Sequence, residues 1–272
     1  MNRRDFLVGG AAVLGGSAMA NPVRSILGSK GAIYAKEEHN DYTAADYVQD
    51  GLIAHYDGIE NAGYGIHDSD KSKQIWKDLT VNGYDMTGYN GNPIVSINDD
   101  SYTLSCTKTV WMRWSQGMLS TKTVECVFQL DDMQKTVIFC PHSGYAYPFI
   151  VFSIANEGLM IPLQSTGNKS AKGIPISVGD INCVTVINTG TITSSGYLAG
   201  KKSEVLFTSS GEIGCGYNYS DFATMGFASS MNARVPLTVS NKIYTVRCYS
   251  RVLDATEIAY NYKIDKARFN LQ

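Results

Sequence analysis

From residue 51 onward, short runs rich in β-branched and aromatic residues alternate with clusters of Gly, Asn, Asp, Ser and Pro. This rhythm constrains the fold more than any other feature of the chain. The runs are "GLIAHYD", "KTVECVFQL", "KTVIFC", "PFIVFSI", "GLMIPL", "DINCVTVIN", "GTITSSGYLAG", "SEVLFTS", "EIGCGYN" and "KIYTVRCYS". Period-two alternation is plain in "TVECVFQL", where Val124, Cys126 and Phe128 share a face. It is equally plain in "IYTVRCY", where Ile243, Thr245, Arg247 and Tyr249 oppose Tyr244, Val246 and Cys248. So many strands with no helices between them predict an all-β, antiparallel two-sheet β-sandwich of jelly-roll type. The 17 tyrosines and 26 glycines point the same way.

Helices are expected only at the two ends. In "DYTAADYVQDG", Thr43 and Asp46 form a capping-box pattern, and Tyr42 and Tyr47 fit the staple around it. A short helix is therefore predicted from Ala44 to about Asp50, stopped by Gly51. In "RVLDATEIAYNYKIDKARFN", Asp254 caps with Glu257 three residues on, and Leu253 and Ile258 staple the turn. A helix from Ala255 to about Arg268 follows, with Ile258, Ala259, Tyr262 and Lys266 as its stripe, lying on the sandwich as a latch.

The opening "MNRRDFLVGGAAVLGGSAMA" places two arginines before an apolar, glycine-rich run that ends in Ala18-Met19-Ala20. That reads as a signal peptide over 1–20. Arg3-Arg4 followed by Asp5, Phe6 and Leu7 matches a twin-arginine leader, and an ordinary secretion signal is the alternative. Glycines break the run too early for a spanning helix. Residues 21–43 lack a period and read as a linker to one domain over 44–272. An exported location is expected: periplasm, cell surface or outside. Oligomeric state is left open.

Charge excludes a partner class. With 23 basic and 25 acidic residues the net charge is −2, so there is no basic surplus to hold nucleic acid. The six cysteines, Cys106, Cys126, Cys140, Cys183, Cys215 and Cys248, form no C-x-x-C pair. Cys126 is in phase with a buried strand face, and Cys140 is in phase with Ile138. Free buried thiols are expected for most of the six, with room for one or two bridges.

The two ends together resemble the concanavalin A-like lectin/glucanase superfamily, in its bacterial laminin G-like form. The opening matches at Gly51, Leu52, Ala54, Tyr56, Asp57 and Gly58, then at Trp76, Asp78 and Leu79. The close matches at Ile243, Val246, Arg247, Tyr249, Arg251, Leu253, Glu257, Ile258 and Asn261. The resemblance implies a concanavalin A-like sandwich. It leaves function open, because that fold hosts lectins, hydrolases and adhesion modules.

Between His55 and Leu79 three chemistries compete. Asp68, Asp70 and Ser72 alternate as EF-hand ligands do, but Lys73 and Leu79 stand where the loop needs Gly and Glu. A retaining glycosidase needs two carboxyls about 5–5.5 Å apart, and the chain has no Glu-x-Asp, Glu-x-Glu or Asp-x-Glu triplet to supply them from one strand. The third reading is a self-capped loop, with Asp57-Gly58 turning the chain, Asp78 capping "LTVNG" and Trp76 plugging the core. The resemblance also implies a possible calcium ion near a sheet edge, with Asp57, Asn61 and Asp78 as its ligands.

A bound sugar would stack on aromatics and pair its hydroxyls with nearby polar groups. The segments richest in such chemistry are "VWMRW" (Trp111, Trp114), "HSGYAYP" (Tyr145, Tyr147) and "GYNYSDF" (Tyr217, Tyr219, Asp221). The chain therefore reads as an exported, non-catalytic protein that recognises a carbohydrate or cell-surface glycan, with no catalytic residues assigned. A glycoside hydrolase or lyase with dispersed acids, or a protein-contacting surface adhesion module, are the other readings.

Overall fold

The computed structural model describes residues 42–60, 75–89, 94–98, 101–105, 111–114, 120–130, 137–140, 153–155, 158–164, 169–174, 176–188, 194–203, 208–209, 223–227 and 242–272. All belong to one unit, Glu38–Gln272. The strands are β1 (Leu52–Asp57), β2 (Ile75–Trp76), β3 (Met86–Tyr89), β4 (Ile94–Asn98), β5 (Ser101–Ser105), β6 (Trp111–Trp114), β7 (Thr123–Gln129), β8 (Val137–Cys140) and β9 (Ser153–Ala155). They continue with β10 (Gly158–Gln164), β11 (Lys169–Ile174), β12 (Ile181–Asn188), β13 (Ser194–Leu198), β14 (Lys201–Lys202), β15 (Thr208–Ser209), β16 (Ala223–Phe227) and β17 (Lys242–Tyr249). One helix, α1 (Ala255–Arg268), closes the described chain.

The strands form an all-β, two-sheet antiparallel sandwich, as the run pattern predicts. Sheet A has the order β14-β13-β12-β7-β17-β5-β4. β1 also lies on β17, along Thr245 to Tyr249, while β5 meets the same edge at Ile243. Sheet B has the order β15-β11-β10-β9-β8-β16-β6-β3-β2. The core lies between the sheets and contains Ala54, Tyr56, Trp76, Met86, Val124, Cys126, Phe128, Phe139, Val184, Val186, Val246 and Cys248. Val124, Cys126 and Phe128 share the inner face as their spacing predicts. No described helix is long and apolar enough to cross a membrane.

Four features depart from the sequence reading. Several strands, including β3, β4, β5, β6, β11 and β16, were not marked by their runs; they are short, or polar. In β17 the register shifts between Ile243 and Thr245. That bulge moves Ile243 onto the inner face with Val246 and Cys248, and places Tyr244 in the outer cluster with Val127 and Phe269.

The N-terminal helix is only a 3-10 turn, Ala44–Asp46. Its cap forms, because Asp46 accepts from the Thr43 backbone N–H at 2.8 Å. The turn ends at Tyr47, whose backbone is extended (φ −63°, ψ 162°). Tertiary contacts override the helical tendency there. Tyr47 reaches Asp265, and the Val48 N–H donates to Asn261 Oδ1 at 3.0 Å, both on α1.

α1 spans the predicted residues, and Asp254 accepts from the N–H groups of Thr256 and Glu257. Its stripe is different. Ile258, Asn261, Ile264 and Asp265 are buried, while Ala259 and Lys266 are exposed. The buried face is half polar because the outer face of sheet A beneath it presents an arginine.

Candidate functional site

Three places carry chemistry. The first lies between α1 and the outer face of sheet A. Arg247 projects from β17 on that face and is fully buried. Its Nε donates to Glu125 Oε2 at 2.9 Å, and its Nη1 and Nη2 donate to the two oxygens of Asp265 at 2.8 and 2.6 Å. The Tyr47 ring stacks on the guanidinium, 3.9 Å from Cζ to the ring centroid, and the Tyr47 hydroxyl donates to Asp265. Asn261 Nδ2 donates to Glu125 and to the Tyr249 hydroxyl. Burial pushes Glu125 up, against the pull of Arg247.

Two carboxylates, a tyrosine and an asparagine around one arginine resemble catalytic machinery in composition. Their burial excludes that role. Arg247, Glu125, Asn261 and Asp265 are each 0–1 % exposed, so no substrate can land on them. The cluster satisfies its own charges and locks α1 to the sheet.

The second place is the opening stretch. Asp57 is fully buried at the end of β1. It accepts from the N–H groups of Ile59 and Glu60 and from both Nη atoms of Arg268, and it lies 3.4 Å from His55 Nε2. Burial would raise its carboxyl, but the His55 contact and the Arg268 charge outweigh burial and hold it well below the usual carboxylate range. Burial also lowers His55, which is neutral near pH 7. Asp78 forms a separate knot. It accepts from the N–H groups of His55, Thr80 and Tyr84 and from the Thr80 hydroxyl.

So Asp78 caps the turn as the self-capped loop reading requires. Trp76 is 2 % exposed and packs edge-on against Tyr56, which makes it a core plug. Two of the three residues named as calcium ligands are engaged elsewhere among the described residues. Asp57 faces an arginine cation, and Asp78 spends its oxygens on four local donors. Asn61 lies outside the described residues. Among the described residues no group of three His, Cys, Asp or Glu is arranged to hold a metal.

The third place is the face of sheet B that points away from the core. Backbone register assigns its residues. Met86 and Phe139 are core residues. Gly88 and Met112 are directly opposed, and Met112 opposes Met225, which opposes Phe139. Strand alternation then puts Thr87, Tyr89, Trp111, Arg113 and Thr224 on the other face. Thr87 is exposed there. α1 packs on sheet A, and among the described residues no helix covers this face of sheet B. Tyr89 and Trp111 are directly opposite each other on it.

The register separates the two tryptophans of "VWMRW". Trp111 is on the outer face, whereas Trp114 shares the parity of Met112 and the core-facing side. Tyr145, Tyr147, Tyr217, Tyr219 and Asp221 lie outside the described residues, but the strands flanking them are informative. Thr224 opposes both Cys140 and Arg113, and Ala223 opposes Trp114. The chain therefore leaves β8 toward Tyr145, and enters β16 from Asp221, at the end of sheet B where β6 finishes. Sequence spacing could not reveal that convergence, because it depends on which strands are neighbours.

No family model matches the chain, and no curated protein matches its sequence. Among solved structures it is similar to domain 4 of AbnA, a GH43 extracellular arabinanase from Geobacillus stearothermophilus, in complex with arabinotriose. The two share 15 % identity over 76 % of this chain and 96 % of that one, with a TM-score of 0.51. It is also similar to Trypanosoma rangeli sialidase, at 13 % identity and TM-score 0.51. That match covers 79 % of this chain, which spans 33 % of the sialidase chain. At these identities the likeness is one of fold.

Proposed function

We propose that this chain is an exported, non-catalytic carbohydrate-recognition protein of laminin G-like type, which holds a glycan against the outer face of sheet B. The carrying observation is the Tyr89–Trp111 pair, directly opposed on that face. Two aromatics at directly opposed register positions are residue types on which a sugar ring stacks. A domain of similar fold, domain 4 of AbnA, was solved in complex with arabinotriose. The leader with Arg3 and Arg4 supports export by the twin-arginine route.

A glycan array probed with the full chain, with calcium and again with chelator, tests this reading. Binding that Trp111→Ala abolishes while the fold persists supports it. Release of reducing sugar from a polysaccharide panel would replace it with a hydrolase. Absence of any glycan binding, with a defined protein partner, would replace it with an adhesion module.

A further inference from the structure

We propose that the segment Tyr42–Val48 is an acid-opened strap, which closes over His55 at neutral pH and lifts off α1 when His55 takes up a proton. The inference is independent of any ligand on sheet B. It starts from register. His55 on β1 stands directly opposite Arg247 on β17. Like charges directly opposed across a strand pair destabilise it, so the site favours a neutral imidazole.

His55 is 1 % exposed, and each element packed around it brings polar or charged groups. β1 supplies Asp57, whose Oδ2 is 3.4 Å from His55 Nε2, and β17 supplies Thr245 and Arg247. α1 supplies Asp265 and Arg268. Behind them stand Glu125 of β7 on Arg247, Cys183 of β12 on Asp265, and Glu60 on Arg268. The strap supplies Tyr47, whose ring meets His55 edge-on at 5.3 Å and covers Arg247. The acids are already committed. The Asp57 oxygen beside His55 also accepts from Arg268 Nη1, and its other oxygen accepts from Arg268 Nη2 and two backbone N–H groups. Both oxygens of Asp265 accept from Arg247. A proton on His55 thus adds a third cation to a set whose guanidiniums already have their carboxylates, at a position closed to solvent. Burial acts in the same direction and lowers the affinity of His55 for that proton.

The strap is the part least tied to the sandwich. It is a 3-10 turn followed by extended backbone and adds no strand to either sheet. Its polar ties are the Tyr47 hydroxyl between Asp265 and Arg268, the Val48 N–H on Asn261 and the Ala44 N–H on Glu60. Tyr42 and Tyr47 cluster with Ile264, and Val48 with Leu253 and Ile258. The next residues are pinned to the end of β17, since Arg251 donates to the Asp50 carbonyl and the Ser250 N–H to that of Gly51. The strap can therefore swing from Gln49 while β1 stays paired with β17. Lifting Tyr47 lets water reach His55, whose ordinary pKa is about 6.5. The closed state holds that pKa lower, so opening is favoured as pH falls from there toward the closed-state value.

Hydrogen exchange of the full chain at pH 7 and pH 5, corrected for the intrinsic pH dependence of amide exchange, tests this. Peptides over 43–49 should lose protection by about fivefold or more at pH 5. At both pH values they should exchange faster than a peptide over β7, which reports opening of the sandwich. In His55→Gln the acid-induced loss should shrink to less than about twofold. Tyr47→Ala supplies the reciprocal measurement: the His55 ring, followed by NMR, should titrate closer to about 6.5 than in the unaltered protein. Strap protection equal to that of β7 would mean that the strap leaves only when the sandwich unfolds, and it overturns the inference. So does an acid-induced loss that persists in His55→Gln. If that variant does not fold, the Tyr47→Ala titration decides, and an unchanged His55 titration there overturns the inference as well.

Discussion

Arg247 on β17 and Asp265 on α1 form a two-pronged ion pair with no solvent access, at 2.8 and 2.6 Å. It is the clasp by which the C-terminal helix grips the sandwich. Removing Asp265 leaves Arg247 fully buried with Glu125 as its remaining carboxylate, and takes the acceptor from the Tyr47 hydroxyl. Asp265→Ala should therefore destabilise the protein by about 3–5 kcal/mol in urea denaturation. Replacing the charged set together, with Arg247→Met, Asp265→Leu and Glu125→Gln, should recover much of that loss, because no buried charge is then left without its partner. A loss under about 1 kcal/mol for the single variant would show that water reaches the clasp.

The His55 cluster gives the fold an acid-sensitive component. His55 is buried against Asp57, Thr245 and the Tyr47 ring, with Arg247 and Arg268 nearby, and its pKa is lowered from the ordinary value of about 6.5. A group with a depressed folded pKa stabilises the fold above its unfolded value, and that contribution is lost as pH falls from there through the folded value. Asp57, also depressed, adds a second loss below the ordinary carboxylate range. Glu125, raised by burial, has the opposite sign: its contribution is present at low pH and is lost as pH rises through its folded value. Comparing variants separates these effects. The Tm of His55→Gln minus that of the unaltered protein should become more positive between pH 7 and pH 5. A difference that stays constant over that range would mean that His55 does not titrate between the folded and unfolded states.

The hairpin between β13 and β14 turns through Ala199 and Gly200, both at positive φ (49° and 71°). A Cβ at Gly200 would fall 2.9 Å from the Tyr262 Cβ, and a Cβ at Gly83 (φ 66°) would meet nothing within 4 Å. Both substitutions force an L residue into the left-handed region, at about 1–2 kcal/mol. Gly200→Ala must also push α1 away from the hairpin. It should therefore cost measurably more than Gly83→Ala in equilibrium unfolding, and equal costs would mean that Tyr262 yields freely.

Cys126, Cys183 and Cys248 are unbridged and buried. Burial raises all three thiols, and Cys183 also donates to Asp265 at 3.4 Å. A thiol that is both inaccessible and protonated does not alkylate. Iodoacetamide should leave these three unlabelled in the native protein and label them once urea unfolds it, as peptide mass spectrometry would show. Native labelling of Cys183 would indicate that α1 opens.

What the sequence disclosed was what short spacing encodes. Alternation in β7 assigned Val124, Cys126 and Phe128 to the core, and Asp254 with Glu257 set the start of α1. The N-terminal cap was equally local, and it formed. The length of its helix was not legible, since Tyr47 and Val48 leave the helical path to meet Asp265 and Asn261, more than 200 residues away. The same distance hid the face of α1. A stripe search favours apolar residues and chose Ala259, while the buried polar positions are Asn261 and Asp265, whose partners Glu125 and Arg247 lie on other elements. The outer pair on sheet B was half visible: Trp111 drew notice as an aromatic, but Tyr89 did not, because only the pairing of β3 with β6 makes them neighbours.

That pairing assigns opposite consequences to two tryptophans three residues apart. An odd separation along a strand puts Trp111 and Trp114 on opposite faces. Trp114 shares the parity of Met112, whose partners Gly88 and Met225 lead by register to Met86 and Phe139 in the core. Trp114→Ala should thus behave as a core truncation and lose about 3–5 kcal/mol. Trp111→Ala removes an aromatic from the outer face and should lose less than about 1 kcal/mol, the scale of a cross-strand surface pair. Paired denaturation curves read the difference directly. If Trp111→Ala proves the more destabilising of the two, the register of β6 is shifted by one residue. The Tyr89–Trp111 pair would then face the core, and the glycan site would have to be sought elsewhere on the sandwich.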